Sequence, residues 1–429
     1  MPPPLPPPSQ LSRRGFSSPI WICLLLSNVF FAGILFGVSI CVHYPTHFQA
    51  APSSSITDLR RDLLCLLRPP LSSSPARAIT NGEHDEGCDP SVGPERLPAL
   101  QGTFYRILVP LAGGGPRRGL EKKMCLRLAS ETFRLLSHVL SDEELLSLGS
   151  ANTLRPVANQ SWPSKVAFLF LTRGPLPFAP LWQRFFRGHE DKFSVYVHAT
   201  PGFSFSEDSP EVFQSAMIRS QKVRWGEPSL VDAERRLLAT ALVDFQNQRF
   251  VLLSESCVPI TNFTYVYKYL MGTNKSFTDC INDQSPWGRG RYRWEMMPEI
   301  HIDQWRKGAQ WFGLNRQHAV AVISDSKYYP KLRKYCVPHC YVDEHYLPTM
   351  LSIIDARGLA NRTTTYTDWS RGGQHPRTFS AQDITAEFIR SIQNDARCTY
   401  NGQPNQPCWL FARKFEPSAL HPLMKTLQF

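Results

Sequence analysis

The segment from Ile20 to Val42 constrains this chain more than any other feature, because it carries no charged side chain and is rich in Leu, Ile, Val and Phe. A helix that crosses a hydrocarbon core needs about 20 such residues, so the segment predicts a transmembrane helix. A cleaved signal peptide is the alternative, but the sequence Cys41-Val42-His43-Tyr44 offers no small-residue cleavage site. Arg13 and Arg14 precede the segment and no Lys or Arg follows before Arg60. This charge asymmetry predicts a cytosolic N-terminus and type II topology.

Composition divides the chain into four parts. Residues 1–19 form a proline-rich tail that cannot build a core, and residues 20–42 form the predicted signal anchor. Residues 43–160 mix short apolar patches with runs of Ser, Pro and Gly, which is typical of a tether, so we expect a luminal stem. Within it, residues 126–140 have the apolar spacing of a helix, and Ser141 with Glu144 forms a capping-box pattern that predicts the start of another. Residues 161–429 are long enough for one catalytic domain.

The chain is basic, with 47 Lys and Arg against 36 Asp and Glu, a formal charge of +11 and a pI near 9.2. This balance suits a partner that carries phosphates or acidic sugars. Nucleic acid is the rival partner. It is disfavoured because the basic residues are scattered and no Lys/Arg block alternates with aromatic residues.

Two features agree with an oxidising lumen. Of the 11 cysteines, Cys23 and Cys41 lie in the predicted anchor, which leaves nine on the luminal side. Cys398 and Cys408 bracket a Pro/Asn/Gln loop and are the first candidate pair for a disulfide. Sequons for N-glycosylation begin at Asn159, Asn262, Asn274 and Asn361, all C-terminal to the anchor.

Apolar runs and helical patterns alternate at the start of the predicted domain. Residues 166–171 form a continuous apolar run that ends in Thr-Arg-Gly-Pro, as expected for a buried strand. Further strands are predicted at 193–197 and 250–253, with helices at 181–186 and 233–246. The alternation predicts an α/β fold, a mostly parallel sheet covered by helices.

In such sheets a ligand binds beyond the carboxyl ends of the strands. The polar residues at those ends are therefore candidates for binding a nucleotide donor, although each could also be an ordinary loop residue. These candidates are Thr172, Arg173, His198, Ser254 and Glu255.

Several long blocks, in one order, give the chain a resemblance to a known family. The blocks are FLTRGPLPFAPLW (170–182), WGEPSLVDAERRLLATAL (225–242), FVLLSESCVPI (250–260), GRGRY (288–292), QWRKGAQWF (304–312), CYVDEHYLPTML (340–351) and DWSRGGQHP (368–376). With them the chain resembles the plant core-2/I-branching β-1,6-N-acetylglucosaminyltransferase-like family (glycosyltransferase family 14-like), in its brittle-culm glycosyltransferase group.

The resemblance implies a GT-A-like α/β fold, a UDP-sugar donor with N-acetylglucosamine as the first choice of sugar, and inversion at the anomeric carbon. It also implies a glycan or glycoprotein acceptor in plant cell-wall or proteoglycan synthesis, a Golgi location, and no cofactor or divalent metal. UDP-glucuronic acid is the alternative donor, because distant plant relatives are associated with glucuronic acid transfer. A membrane-tethered sugar-binding protein that has the fold but no turnover is the alternative to an enzyme.

An inverting transfer needs one base to take the proton of the acceptor hydroxyl. By resemblance, the base lies in the motif Val-Asp-Glu-His-Tyr at 342–346, which makes Glu344 the catalytic candidate. The alternative is structural, because Asp343 and Glu344 could simply begin a helix whose N-terminus favours carboxylates.

The leaving diphosphate must be held by positive charge. No Asp-x-Asp, the usual metal-binding pattern, occurs anywhere in the sequence, so fixed cations are expected instead. By resemblance to the animal enzymes, these are Lys414 and Arg377. Arg371 is the alternative to Arg377, because plant relatives often lack the latter.

Acceptor binding calls for aromatic rings and polar side chains, and the stretch from 287 to 311 supplies both. Its tryptophans could equally belong to the core and its arginines to the solvated surface. By resemblance, Asp279 lies near the stretch that gives an acceptor-binding acid in animal relatives. The acceptor candidates are Asp279, Arg289, Arg291, Trp294 and Trp305.

The pattern Cys336-x-x-His339-Cys340 superficially suggests a metal site. A structural zinc site needs four ligands, and no second Cys/His pair lies nearby in sequence. Paired or free thiols in a loop are therefore expected, and no metal site is predicted.

Overall fold

The computed structural model describes residues 140–151 and 163–429. Within these residues the strands are β1 (Lys165–Leu171), β2 (Phe193–His198), β3 (Asn247–Ser254), β4 (Val258–Pro259), β5 (Gly313–Asn315), β6 (Thr365–Thr367), β7 (Cys398–Tyr400), β8 (Gln403–Gln406) and β9 (Phe411–Arg413). The α-helices are α1 (Asp142–Ala151), α2 (Ala179–Phe186), α3 (Glu211–Gln214), α4 (Pro228–Val243), α5 (Phe263–Met271), α6 (Arg316–Ser324), α7 (Tyr328–Tyr335), α8 (Val342–Asp355), α9 (Ala386–Gln393) and α10 (Leu420–Thr426).

The main sheet has the spatial order β2–β1–β3–β5. Strands β1, β2 and β3 run parallel, and β5 pairs antiparallel with β3. The three strands predicted from apolar runs are confirmed, and so are the helices between them. The described residues therefore form a mixed α/β fold, as predicted.

Strand β1 is central and buried along its length, with Val166 to Phe170 at 0% exposure. Helices on the sheet explain why its sequence is continuously apolar rather than alternating. Phe168 and Phe170 both contact the ring of Trp182 in α2, edge to face, at 6.0 and 5.2 Å. The indole N–H of Trp182 donates to the carbonyl of Cys257 at 3.2 Å, which ties α2 to the turn after β3.

A second, three-stranded sheet has the order β4–β9–β6. Its central strand β9 pairs antiparallel with β4 and parallel with β6. Just beyond β9, the N–H of Phe415 donates to the carbonyl of Ser256 at 3.1 Å. The carboxyl end of β9 therefore lies beside the turn that follows β3. Strands of both sheets thus end in the same region.

Helix α1 packs against α4, although the predicted stem extends to residue 160. The capping box predicted for it is confirmed: the backbone N–H of Ser141 donates to Glu144 at 2.7 Å, and the N–H of Glu144 donates to the Ser141 hydroxyl at 3.2 Å. Leu145 is 2% exposed. Asp142 accepts a hydrogen bond at 3.0 Å from Arg236 of α4, whose side chain is 3% exposed.

Two disulfides occur among the described residues. The predicted bridge between Cys398 and Cys408 is confirmed. The second bridge joins Cys336 to Cys340, so these thiols are paired as expected for a loop. Cys257 and Cys280 are free.

In the part of the chain that the structure describes, no helix is both long and apolar enough to cross a bilayer. The predicted tail, the anchor at 20–42 and the stem up to residue 139 lie outside the described residues, as do the sequon at Asn159 and the helix expected before Leu140.

We predict that Asp142→Ala lowers the free energy of unfolding by about 2 kcal/mol, because it leaves the buried Arg236 guanidinium without its carboxylate. Urea denaturation of the variant measures this loss. Glu143→Ala, which removes an exposed neighbouring carboxylate, is the matched control and should change stability by less than about 0.5 kcal/mol. Equal stabilities of the two variants would contradict the role assigned to the ion pair.

Candidate active site

Glu344 lies in the first turn of α8, where two cations from other segments converge on it. Its Oε2 atom is 2.7 Å from Nη1 of Arg291 and 3.1 Å from Nζ of Lys307. The side chain of Glu344 is 27% exposed, that of Arg291 12% and that of Lys307 25%. A carboxylate held in this way is oriented by two charges and still open to a ligand.

The backbone around Glu344 fixes this position. Tyr341 precedes α8 in a left-handed conformation, with φ of 60°, directly after the Cys336–Cys340 disulfide. The N–H of Glu344 donates to the carbonyl of Tyr341 at 3.0 Å, and the Glu344 carbonyl accepts from the N–H of Gly308 at 2.8 Å. The chain at 307–309 is thereby held against the first turn of α8.

Gly308 is required by this close approach. A Cβ atom there would lie 2.3 Å from the carbonyl oxygen of Asp279 and 2.9 Å from Cγ of Pro348 in α8. Only glycine lets the chain pass between these groups, which places Lys307 beside Glu344.

Two further carboxyl groups are buried behind Glu344. Burial, together with the adjacent charge of Glu344, raises the pKa of Asp343 to about 7. Burial also raises the pKa of Glu234 in α4 well above its usual value, and the charge of Asp343 adds to this effect. Glu234 accepts a hydrogen bond from the Gln310 amide at 2.8 Å, whereas the buried Oδ1 of Asp343 has no partner in the described residues.

His345, which follows Glu344 in the chain, packs against Trp305. Their rings stack at 4.4 Å, and Nδ1 of His345 lies 2.8 Å from the carbonyl oxygen of Arg306. Burial lowers the pKa of His345 to about 3. The imidazole is therefore neutral and has a packing role.

A second group of charges lies at the carboxyl ends of β1, β3 and β9. It contains Arg173, Glu255, Arg413 and Lys414, which interact electrostatically with one another. Burial lowers the pKa of Lys414, and the neighbouring Arg413 lowers it further. The Arg413 guanidinium stacks 3.9 Å above the ring of Trp311.

The segment from Lys307 to Trp311 joins the two groups of charges. Its first residue contacts Glu344, and its last contacts Arg413. Four fully extended residues span at most about 14 Å. The Cα atoms of Lys307 and Trp311 therefore lie no more than about 14 Å apart, and the segment between them connects Glu344 to the strand-end cations.

The other candidates for donor binding also lie at the strand ends, but their side chains are already engaged in hydrogen bonds within the protein. The Thr172 hydroxyl closes a turn with Gly174, and the Ser254 hydroxyl bonds within its own turn to Ser256. His198 is 1% exposed and accepts from the N–H of Gln221 at 3.1 Å. Burial lowers the pKa of His198 to about 4, and the charge of Arg236 adds to this. His198 therefore lies inside the fold, toward α4.

Arg377 and Arg371 have different environments. The guanidinium of Arg377 pairs with the carboxylates of Asp383 at 2.6 Å and Asp368 at 3.8 Å. The backbone N–H of Arg377 donates to the backbone carbonyl of Asp368 at 2.8 Å. These contacts close the base of the loop at 368–377. Arg371 lies exposed within that loop, between Trp369 and two glycines with positive φ. Arg371 is therefore the freer cation of the two.

The residues predicted to bind the acceptor also differ in whether they are already held by contacts within the protein. Asp279 accepts from the backbone N–H groups of Thr363 at 2.8 Å and Ala309 at 3.2 Å, so it braces the chain beside Lys307; burial raises its pKa. Trp305 is 1% exposed and belongs to the core. Arg289 pairs with Asp303 at 3.1 Å, and Trp294 is 68% exposed beside Tyr292. Of the acceptor candidates, Arg291 directly contacts Glu344.

The three sequons within the described residues have exposed asparagines, namely Asn262, Asn274 and Asn361. No group of three or more His, Cys, Asp or Glu side chains in residues 140–151 and 163–429 is arranged to hold a metal ion.

Comparison with known proteins places this chain in a family. The sequence profile of the Core-2/I-Branching enzyme family matches residues 166–393, which is more than half of the chain. This chain belongs to the core-2/I-branching family of glycosyltransferases. A curated relative is Glycosyltransferase BC10 of Oryza sativa subsp. japonica, which is 36% identical over 302 residues that cover 60% of this chain and 75% of the relative. The family assignment agrees with the resemblance carried by the sequence blocks.

Sequence reasoning missed three residues that shape this site: Lys307, Arg413 and Glu234. Lys307 and Glu234 lie within two of the family blocks, QWRKGAQWF and WGEPSLVDAERRLLATAL, and Arg413 directly precedes the candidate Lys414. Nothing in the local pattern shows which carboxylate or ring each would meet, because those partners come from distant segments.

We predict that Asp343→Asn stabilises the protein at alkaline pH. Since the pKa of Asp343 is raised in the fold, the wild-type chain loses this contribution to stability as pH rises from about 4 through 7. The neutral amide does not titrate. Thermal unfolding should therefore show a Tm advantage of the variant that is larger at pH 8 than at pH 5. A difference that is the same at both pH values would contradict the titration, and the exposed Asp208→Asn serves as control.

Proposed function

We propose that this chain transfers a sugar from a UDP-sugar to an acceptor hydroxyl, with inversion and without a divalent metal, and that Glu344 is the general base. The proposal rests on a partly exposed carboxylate oriented by Arg291 and Lys307, and on a cationic cluster at the strand ends that the segment from Lys307 to Trp311 connects to it. The mixed α/β sheet, with its charges at the strand ends, supports a GT-A-like fold.

The proposed reaction uses the two oxygens of Glu344 differently. Both cations contact Oε2, and among the described residues no hydrogen bond reaches Oε1. Oε1 accepts the proton of the acceptor hydroxyl while the hydroxyl oxygen bonds to the anomeric carbon. The bond from that carbon to the diphosphate oxygen breaks, and UDP leaves with the electron pair.

Negative charge grows on the diphosphate as that bond breaks. Lys414 and Arg173 lie at the strand ends where a nucleotide would bind, and Arg371 is free to approach from its loop. The sequence lacks Asp-x-Asp, so we assign the neutralisation of the diphosphate charge to these side chains instead of to a metal ion. Arg377 is assigned to closing the loop at 368–377, because two carboxylates already pair with it.

We further propose that the enzyme is a type II protein of the Golgi membrane with its catalytic domain in the lumen. The apolar segment at 20–42 and the arginines that precede it support this topology. Two disulfides and three exposed sequons in the described residues agree with an oxidising, glycosylating compartment.

We predict that Glu344→Gln lowers kcat for transfer by at least about 100-fold while the fold is kept, because the amide cannot accept the proton. Initial rates with saturating donor measure this loss, and thermal unfolding checks the fold. Glu387→Gln, a change at an exposed glutamate of α9, is the matched control with unchanged rates. A Glu344→Gln enzyme with wild-type kcat would end the assignment.

A screen of UDP-sugars with the full-length chain in detergent and excess EDTA tests the proposed function as a whole. Plant cell-wall and arabinogalactan oligosaccharides serve as acceptors. We expect UDP-N-acetylglucosamine to support transfer in the chelator. Transfer with UDP-glucuronic acid alone would identify the alternative donor, a requirement for Mn²⁺ would refute the metal-free mechanism, and no release of UDP from any donor would favour a sugar-binding protein without turnover.

A further inference from the structure

Five side chains form a continuous surface beside Glu344, which we call the aromatic ridge: Trp225, Trp287, Arg291, Tyr341 and His375. The Tyr341 ring is its centre. Arg291 lies over one side of this ring at 4.5 Å, and Trp225 meets it at 5.1 Å. Trp287 and His375 extend the two ends, at 5.7 Å from Arg291 and 5.3 Å from Trp225 respectively.

The two tryptophans of the aromatic ridge face solvent. Trp225 is 52% exposed and Trp287 is 66% exposed, whereas the nearby core residue Trp305 is 1% exposed. The ridge lies outside the hydrophobic core, so packing within the fold does not account for these large rings. Exposed aromatic surface rimmed by polar groups is typical of a binding site.

The backbone fixes the ridge before any ligand arrives. Gly226 has φ of +76°, and a Cβ atom there would lie 3.0 Å from the Tyr341 ring. Glycine at this position therefore lets the chain that carries Trp225 approach Tyr341 closely. Tyr341 itself is held by the Cys336–Cys340 loop on one side and by α8 on the other. A preformed surface of this kind loses little entropy on binding.

The ridge meets Glu344 through Arg291. Steps of 2.7, 4.5 and 5.1 Å lead from Glu344 through Arg291 and Tyr341 to Trp225. The path to the diphosphate site runs instead through Lys307 and Trp311. Arg291 and Tyr341 therefore stand between Glu344 and Trp225, so a ligand whose hydroxyl reaches Glu344 meets Trp225 with a more distant part.

We propose that the aromatic ridge is a subsite for an extended acceptor glycan of at least three sugars, with a ring beyond the reacting sugar stacked on Trp225. The apolar face of a pyranose packs on an indole ring, and Arg291 and His375 supply hydrogen-bonding groups for hydroxyls. The inference rests on the proposed function, because it takes the ligand of the ridge to be the acceptor. It makes acceptor length, rather than only the terminal sugar, a determinant of specificity.

The test measures binding without turnover. The full-length chain in detergent, with saturating UDP, is applied to a printed array of plant cell-wall oligosaccharides graded from one to six sugars. We expect stronger binding to chains of three or more sugars than to shorter chains of the same series. Trp225→Ala should weaken the binding of long chains about tenfold and leave that of one- and two-sugar ligands unchanged, with Trp225→Phe intermediate.

Tyr265→Ala is the matched control, because Tyr265 is a partly exposed aromatic residue of α5 outside the site. It should bind every ligand as the wild-type chain does, and thermal unfolding verifies that each variant folds. Three results would overturn the inference. Trp225→Ala could weaken the binding of all ligand lengths equally, or it could leave the binding of every ligand unchanged. The third is that the wild-type chain binds no oligosaccharide of three or more sugars. Length-dependent binding without any sugar transfer would keep the subsite and reject the proposed enzyme activity, so the two claims fail separately.

Discussion

The convergence of Arg291 and Lys307 on one oxygen of Glu344 is the interaction on which the rest of the site depends. It orients a carboxylate at the start of α8 through one oxygen and leaves the other without a hydrogen bond among the described residues. Each partner is fixed by the fold for its own reason: Lys307 by the passage of Gly308 between Asp279 and Pro348, and Arg291 by its contact with Tyr341. The site is thus assembled from segments that meet only in the folded chain.

Strands of both sheets bring charged residues to one edge of the fold. The parallel strands of the main sheet bring Arg173 and Glu255 to one edge, and the short strand β9 brings Arg413 and Lys414 to the same edge. The chain from Lys307 to Trp311 connects this edge to Glu344. In this account the protein supplies fixed positive charge at both ends of the reaction, and the acceptor enters along the aromatic ridge.

The sequence predicts the parts of the fold that local patterns control. Strands β1, β2 and β3 follow from continuous apolar runs, the start of α1 from the Ser141 and Glu144 pattern, and one disulfide from the loop between Cys398 and Cys408. The sheet β4–β9–β6 could not be predicted, because its strands are only two or three residues long. For the site, the family blocks led to Glu344 and Lys414. The placement of Lys307 and the burial of His198 beside Arg236 depend on distant residues, which no local pattern shows.

The central claim is that a single glutamate and fixed cations suffice to displace UDP. A crystal structure of the protein bound to UDP and its acceptor, grown in chelator, tests it most directly. The account predicts the acceptor hydroxyl at about 2.6–3.2 Å from Oε1 of Glu344 and the diphosphate against Lys414. A diphosphate held through a metal ion, or an acceptor hydroxyl directed away from Glu344, would contradict it.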